Sequence, residues 1–251
     1  KFNCIGKLMN KILIIALIFI SFQNIAQEKI IFESSDGLKV TADLYVTNPE
    51  NSPFIILFHQ ARWSRGEYQE IAPKLSKLGY NSMAVDQRSG GEVNGVINET
   101  HQRAVKQNLP TEYTDAEPDM NSAIDYVKTK FGKASKLIIW GSSYSSALVL
   151  KIAGERKDID GSLSFAPGEY FSNKGKDYVT KNAINITKPA FITSAKNEKN
   201  NWWDIYNKIP STQKSYFLPN ESGQHGSRAL WEKFPEHKSY WKAVTEFLKT
   251  I

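Results

Sequence analysis

The run Leu137-Ile138-Ile139-Trp140-Gly141-Ser142-Ser143-Tyr144-Ser145-Ser146-Ala147 constrains this chain more than any other segment. An apolar stretch of strand type stops at a glycine and two serines, and an Ala/Leu/Val-rich stretch of helix type follows without a gap. That order requires a very tight strand-to-helix turn. The residue at its apex is held out of the sheet. Its neighbours two before and two after must be small, because strand and helix nearly touch there. Gly141 and Ser145 are both small, and Ser143 stands at the apex. The pattern is a nucleophile elbow, G-x-S-x-G, with serine in place of the last glycine. A serine-rich strand–helix loop would carry the same letters, so the rest of the chain has to decide.

The rest of the chain alternates. Lys29–Ser34 and Lys39–Val46 flank a Ser-Asp-Gly turn signal and predict an antiparallel hairpin. Pro53–His59 is a continuous apolar run of the kind buried in a parallel sheet. Tyr68–Leu78 has helical spacing and stops at Gly79; Asn81–Asp86 is a short strand. Asp115–Phe131 predicts a long amphipathic helix ending at Gly132. Lys136–Trp140 is the strand before the elbow, and Tyr144–Glu155 is its helix. Gly161–Ala166, Ala190–Ala195 and Lys214–Leu218 read as strands; Trp202–Lys208 and Glu236–Lys249 read as helices. This alternation predicts an α/β fold, a mostly parallel sheet with helices on both faces. Ser89–Thr114 and Pro167–Lys188 lack clear periodicity and follow strand C-termini, where such sheets bind ligands.

The N-terminus reads differently. From Met9, a candidate initiator, a lysine precedes an almost wholly apolar Ile12–Phe22 and a small residue, Ala26. This is the form of a secretory signal peptide, too short for a comfortable membrane span. Residues 1–26 are therefore expected to be an N-terminal extension plus signal peptide, and residues 27–251 one domain. Cleavage is expected near Ala26, export to periplasm or medium, and no stable membrane association afterwards. Losing the three lysines of this segment lowers the formal charge from +6 to +3. No basic tract remains, which argues against nucleic acid as a partner. The one cysteine, Cys4, goes too, and with it any thiol nucleophile or Cys-based metal site.

Four motifs together resemble the α/β-hydrolase family, and most closely its compact dienelactone-hydrolase-like branch, over residues 29–251. Leu57-Phe58-His59-Gln60-Ala61 resembles the family's His-Gly-x oxyanion segment, with Gln60 replacing the glycine. Val85-Asp86-Gln87-Arg88-Ser89-Gly90-Gly91 resembles its Asp-x-Arg-Gly-x-Gly turn. Gly141 to Ser145 is the elbow, and Gly223-Gln224-His225-Gly226 resembles the loop carrying the catalytic histidine. The resemblance implies an α/β-hydrolase fold with a minimal cap. It implies a serine hydrolase acting on small to medium carboxylic esters, lactones or thioesters, with no cofactor and no metal. Two alternatives stay open: a peptidase-type serine hydrolase, and a catalytically impaired binding protein on the same fold.

Each role has a chemical requirement. A serine hydroxyl needs a base to take its proton as it attacks. Of the four histidines, His225 sits in a Gly-flanked loop after the last strand, while His59 reads as a hydrogen-bonded loop anchor. The family's acid follows the strand Ala190–Ala195, where this chain reads Ser194-Ala195-Lys196-Asn197-Glu198. Asn197 stands at the expected aspartate, but only a carboxylate offsets the charge of an imidazolium. Glu198 is therefore the expected acid, with Asn197 and Glu169 as alternatives. The oxyanion donors implied are the backbone N–H groups of Tyr144 and Ala61, with Gln60 second. Trp63, Trp202 and Trp203 are candidate substrate walls, or else packing aromatics. Asp86 and Arg88 are expected to fix loop geometry, and Glu67 to be a helix-start charge.

Overall fold

The computed structural model describes residues 27–251; the segment expected to direct export, residues 1–26, lies outside them. The strands are β1 (Gln27–Glu33), β2 (Lys39–Tyr45), β3 (Phe54–Phe58), β4 (Asn81–Val85), β5 (Glu92–Val93), β6 (Val96–Ile97), β7 (Leu137–Ser142), β8 (Gly161–Phe165), β9 (Ala190–Thr193) and β10 (Lys214–Phe217). The helices are α1 (Ile71–Lys77), α2 (Glu99–Lys106), α3 (Glu117–Lys130), α4 (Tyr144–Glu155), α5 (Thr180–Ala183), α6 (Lys199–Lys208) and α7 (His237–Leu248).

Eight strands form one sheet in the order β1-β2-β4-β3-β7-β8-β9-β10. From β4 to β10 every pair is parallel; β2 runs against both β1 and β4. The central strands are apolar on both sides because helices cover both faces. Phe54, Ile56 and Phe58 of β3 and Ile139 of β7 join a core with α3, α4 and α6. Ile55 and Leu57 of β3 and Ile138 and Trp140 of β7 join a second core with α1 and α7. Successive residues point to opposite faces, so a one-residue slip of β7 would exchange Ile139 for Trp140 between two differently shaped cores.

Three expectations change. The helix expected over Tyr68–Leu78 is split into a 3-10 turn, Arg65–Tyr68, and α1. Glu67 and Tyr68 are fully buried there, so this segment packs inward before the helix begins. The segment Ser89–Thr114 is not irregular. It holds the β5–β6 hairpin, turned by Asn94 and Gly95 at φ 53 and 74, and then α2. Asn98 caps α2 by accepting from His101 N–H at 2.7 Å. Within Pro167–Lys188 the short helix α5 forms.

Candidate active site

Ser143 occupies φ 58, ψ −123, a region that L-residues adopt only when their surroundings force it. The forcing is visible. A Cβ on Gly141 would lie 2.5 Å from Ser145 O and from Ser146 N, so only glycine fits beside the helix start. Ser145 tolerates its side chain because the hydroxyl is used. Its Oγ accepts from Ser142 N–H at 2.9 Å and donates to Phe58 O at 2.8 Å, tying the elbow to β3. The last position of the motif is thus serine for a structural reason. Ser143 N–H donates to Phe165 O at 2.7 Å, which fixes the apex to β8. Its neighbours Gly141, Ser142, Tyr144 and Ser145 are buried, while Ser143 itself is partly exposed.

The loop after β10 folds back onto this turn. Gly226, at φ 72, packs so closely that a Cβ would meet Ser142 Oγ at 2.5 Å. Ser227 N–H donates to Ser142 Oγ at 2.9 Å, and Trp140 Nε1 donates to Ser227 Oγ at 2.9 Å. His225, one residue before Gly226, is held beside the elbow by these contacts. Its Nδ1 lies 2.5 Å from Glu198 Oε1. Glu198 ends a 3-10 turn, Lys196–Glu198, just after β9, and its Oε2 accepts from Ala195 N–H at 3.1 Å. A carboxylate on Nδ1 fixes that nitrogen as the donor and leaves Nε2 as the acceptor.

The alternatives for the acid are placed elsewhere. Glu169 accepts from Val179 N–H, Thr180 N–H and Thr180 Oγ1, at 2.8, 2.8 and 2.7 Å, and anchors the start of α5. Asn197 is exposed, and among the described residues it makes no hydrogen bond to His225.

The oxyanion segment follows β3. Among the described residues, Ala61 N–H and Tyr144 N–H have no hydrogen-bond partner, and Tyr144 opens α4, where the first N–H groups are free. Gln60 N–H is not free: it donates to Glu67 Oε2 at 2.8 Å. Gln60 is therefore no donor to a substrate oxygen. His59 is fully buried beneath this loop. Its Nδ1 donates to Gln60 O at 2.8 Å, and Nε2 accepts from Gln87 N–H at 3.1 Å. Burial pushes its pKa down to about 4, so it stays a neutral loop anchor.

The tryptophans separate. Trp63 is partly exposed, stacks on Trp231 at 5.4 Å and has the Arg228 guanidinium 5.8 Å from its ring. Trp202 is fully buried in the core and donates from Nε1 to Ser194 Oγ at 2.8 Å, so it packs and walls no site. Trp203 stacks on Tyr206, with Lys199 Nζ 3.9 Å from its ring centre. It belongs to an aromatic cluster on α6 and β10 rather than to the elbow. Asp86 accepts from Arg65 N–H and Arg65 Nη1, and Arg88 pairs with Asp36 and Asp119; both residues fix loops. Glu67 lies in the first turn of the 3-10 helix Arg65–Tyr68, as a helix-start charge would, but not at the surface. It is fully buried, and burial pushes its pKa up to about 7. Among the described residues no cluster of three His, Cys, Asp or Glu side chains could hold a metal ion, and no helix is long and apolar enough to cross a membrane.

Ser143, Glu198 and His225 thus follow β7, β9 and β10, in that chain order, at the C-terminal edge of a parallel sheet. The chain has the α/β-hydrolase fold. No family model and no curated protein matches it by sequence. Solved structures do match. The esterase Pf2001 of Pyrococcus furiosus aligns at TM-score 0.71 and 17% identity, over 90% of this chain and 93% of that one. Dienelactone hydrolase from Anabaena variabilis aligns at TM-score 0.69 and 12% identity, over 90% and 97%. An acylaminoacyl peptidase from Pyrococcus horikoshii aligns at TM-score 0.66 and 14% identity, over 93% of this chain but 42% of that one.

Proposed function

We propose that this protein is a serine hydrolase that cleaves small to medium carboxylic esters, lactones or thioesters through an acyl-enzyme on Ser143. The observation that carries the reading is the His225–Glu198 pair at 2.5 Å, on the loop that folds back against the strained Ser143 turn. Ser143 Oγ attacks the acyl carbon while His225 Nε2 takes its proton. Glu198 holds the imidazole in that tautomer and offsets the positive charge it gains. The oxygen that becomes negative is met by the N–H groups of Ala61 and Tyr144. His225 returns the proton to the departing alcohol, and water then cleaves the acyl-enzyme by the same route in reverse.

Amide bonds are cleaved by the same machinery, and the likeness to an acylaminoacyl peptidase keeps a peptidase reading in view. A panel of p-nitrophenyl esters of graded chain length, run beside aminoacyl p-nitroanilides, separates the two. Turnover of short esters with inert anilides is expected. Anilide turnover alone would replace the ester reading, and inertness to both would favour a binding protein. Export is proposed on residues 9–26: secreted protein is expected to begin near Gln27, and a full-length cytoplasmic form would contradict this.

A further inference from the structure

Glu67 is a carboxylate in an unusual place. It is fully buried, yet among the described residues no lysine, arginine or histidine forms an ion pair with it. Burying a carboxylate without a cation is costly unless hydrogen bonds satisfy it. Here two donors do so. Ser142 Oγ donates to Oε1 at 2.7 Å, and Gln60 N–H donates to Oε2 at 2.8 Å. Ser142 Oγ in turn accepts from Ser227 N–H at 2.9 Å. Each of these three residues lies within two positions of a member of the proposed machinery. Gln60 precedes Ala61, Ser142 precedes Ser143, and Ser227 lies two residues after His225. One carboxylate therefore joins two loops directly and, through Ser142 Oγ, a third, all far apart in sequence. The 3-10 turn that carries it is itself fastened, since Trp231 Nε1 donates to Glu67 O at 2.9 Å.

We propose that Glu67 is a positioning residue that sets the oxyanion segment, the nucleophile turn and the histidine loop in register. The proposal rests on the reading of Ser143 and His225 given above. The groups whose charge bears on Glu67 are His225 and Arg228 of the histidine loop, with Tyr68 on its own turn and Tyr144 on α4. As a carboxylate, Glu67 accepts both hydrogen bonds. Once protonated, Oε1 donates to Ser142 Oγ instead, the Ser142 hydroxyl must turn its own proton away, and the hold on the nucleophile turn weakens. Deprotonation of Glu67 is thus a second requirement for activity, beside that of the base.

The test is p-nitrophenyl acetate hydrolysis by wild type, Glu67→Gln and Ser142→Ala across the neutral range, with fluorophosphonate labelling of each. Glu67→Gln is expected to fold, to lose about 10²-fold in kcat, the scale of small misplacements of reacting groups, and to keep KM within about threefold. Its acidic limb in kcat/KM should follow one proton, where the wild-type limb is steeper. Glu67→Gln with wild-type kcat and an unchanged limb would overturn the proposal. If Glu67→Gln does not fold, Ser142→Ala decides, because it cuts the link to Ser227 and leaves Glu67 in place. Labelling of Ser143 slowed about tenfold supports the proposal, and unchanged labelling overturns it. A wild type that neither labels nor hydrolyses would instead sink the serine-hydrolase reading, and this proposal with it.

Discussion

Ser143 stores backbone strain that the residues around it sustain, and the strain presents one hydroxyl to the solvent side of a buried turn. The orienting acid is the residue whose assignment matters most at this scale. Glu198→Gln should keep the fold and lower kcat by up to about 10⁴-fold, the loss seen when a triad carboxylate becomes an amide. Asn197→Ala should change little, since its side chain is exposed. Glu169→Gln should leave kcat near normal but lower stability by about 1–3 kcal/mol, because a carboxylate accepting three hydrogen bonds is replaced by a group that repels one donor. Steady-state kinetics and urea unfolding of the three variants check this. Loss of kcat in Glu169→Gln with a normal Glu198→Gln would reverse the assignment. The sequence carried Ser143 and His225 through their small neighbours. It left the acid open, because glutamate one position beyond the expected aspartate reaches the imidazole only through a turn that letters do not specify.

Among the elements, the elbow makes the sharpest demand. Ser145→Gly would restore the commoner motif yet should destabilise the protein by about 1 kcal/mol, since the Phe58 and Ser142 bonds to its hydroxyl are lost. Thermal unfolding measures it, and an unchanged or raised midpoint would contradict the structural role given to that hydroxyl. Strands β3, β7 and β9 were legible because two covered faces require apolar runs, while β4 and β8 carry serines and show only as short strand-type segments between turns. The β5–β6 hairpin has strands too short to show a period, and its signal lies in the turn: Asn94-Gly95 is a favoured two-residue turn between Val93 and Val96. Trp202 and Trp203 differ for an equally simple reason. Consecutive helical residues point about 100° apart, so only one of them faces the core.

Across the whole molecule, buried ionisable groups set opposing dependences on pH. Glu67 is raised from 4.5 to about 7 and Asp86 from 3.8 to about 6, both by burial. Their contributions are fully present below the unfolded values and are lost as pH rises through the folded ones. His59, lowered from 6.5 to about 4, has the reverse sign: its contribution is present above 6.5 and lost as pH falls. Removing one group exposes its share. Relative to wild type, Glu67→Gln should gain about 3 kcal/mol between acidic and neutral pH, because wild type alone must ionise a buried carboxyl there. Urea unfolding of both proteins at about pH 5 and about pH 8 measures the difference. A variant that loses this pH-dependent penalty while losing turnover marks a residue kept for its chemistry, the trade-off expected at working sites. No pattern in the sequence separated this carboxylate from an ordinary helix-start charge, because its burial depends on packing against Ser142 and Trp231, far away in the chain.

All of these effects presuppose that Ser143 reacts. The most direct measurement is the intact mass of the protein after exposure to a fluorophosphonate, with peptide mapping of the adduct. One adduct on Ser143, abolished by Ser143→Ala and slowed by Glu198→Gln, is the predicted result. Labelling that persists in Ser143→Ala, or maps to Ser142 or Ser145, would contradict the account.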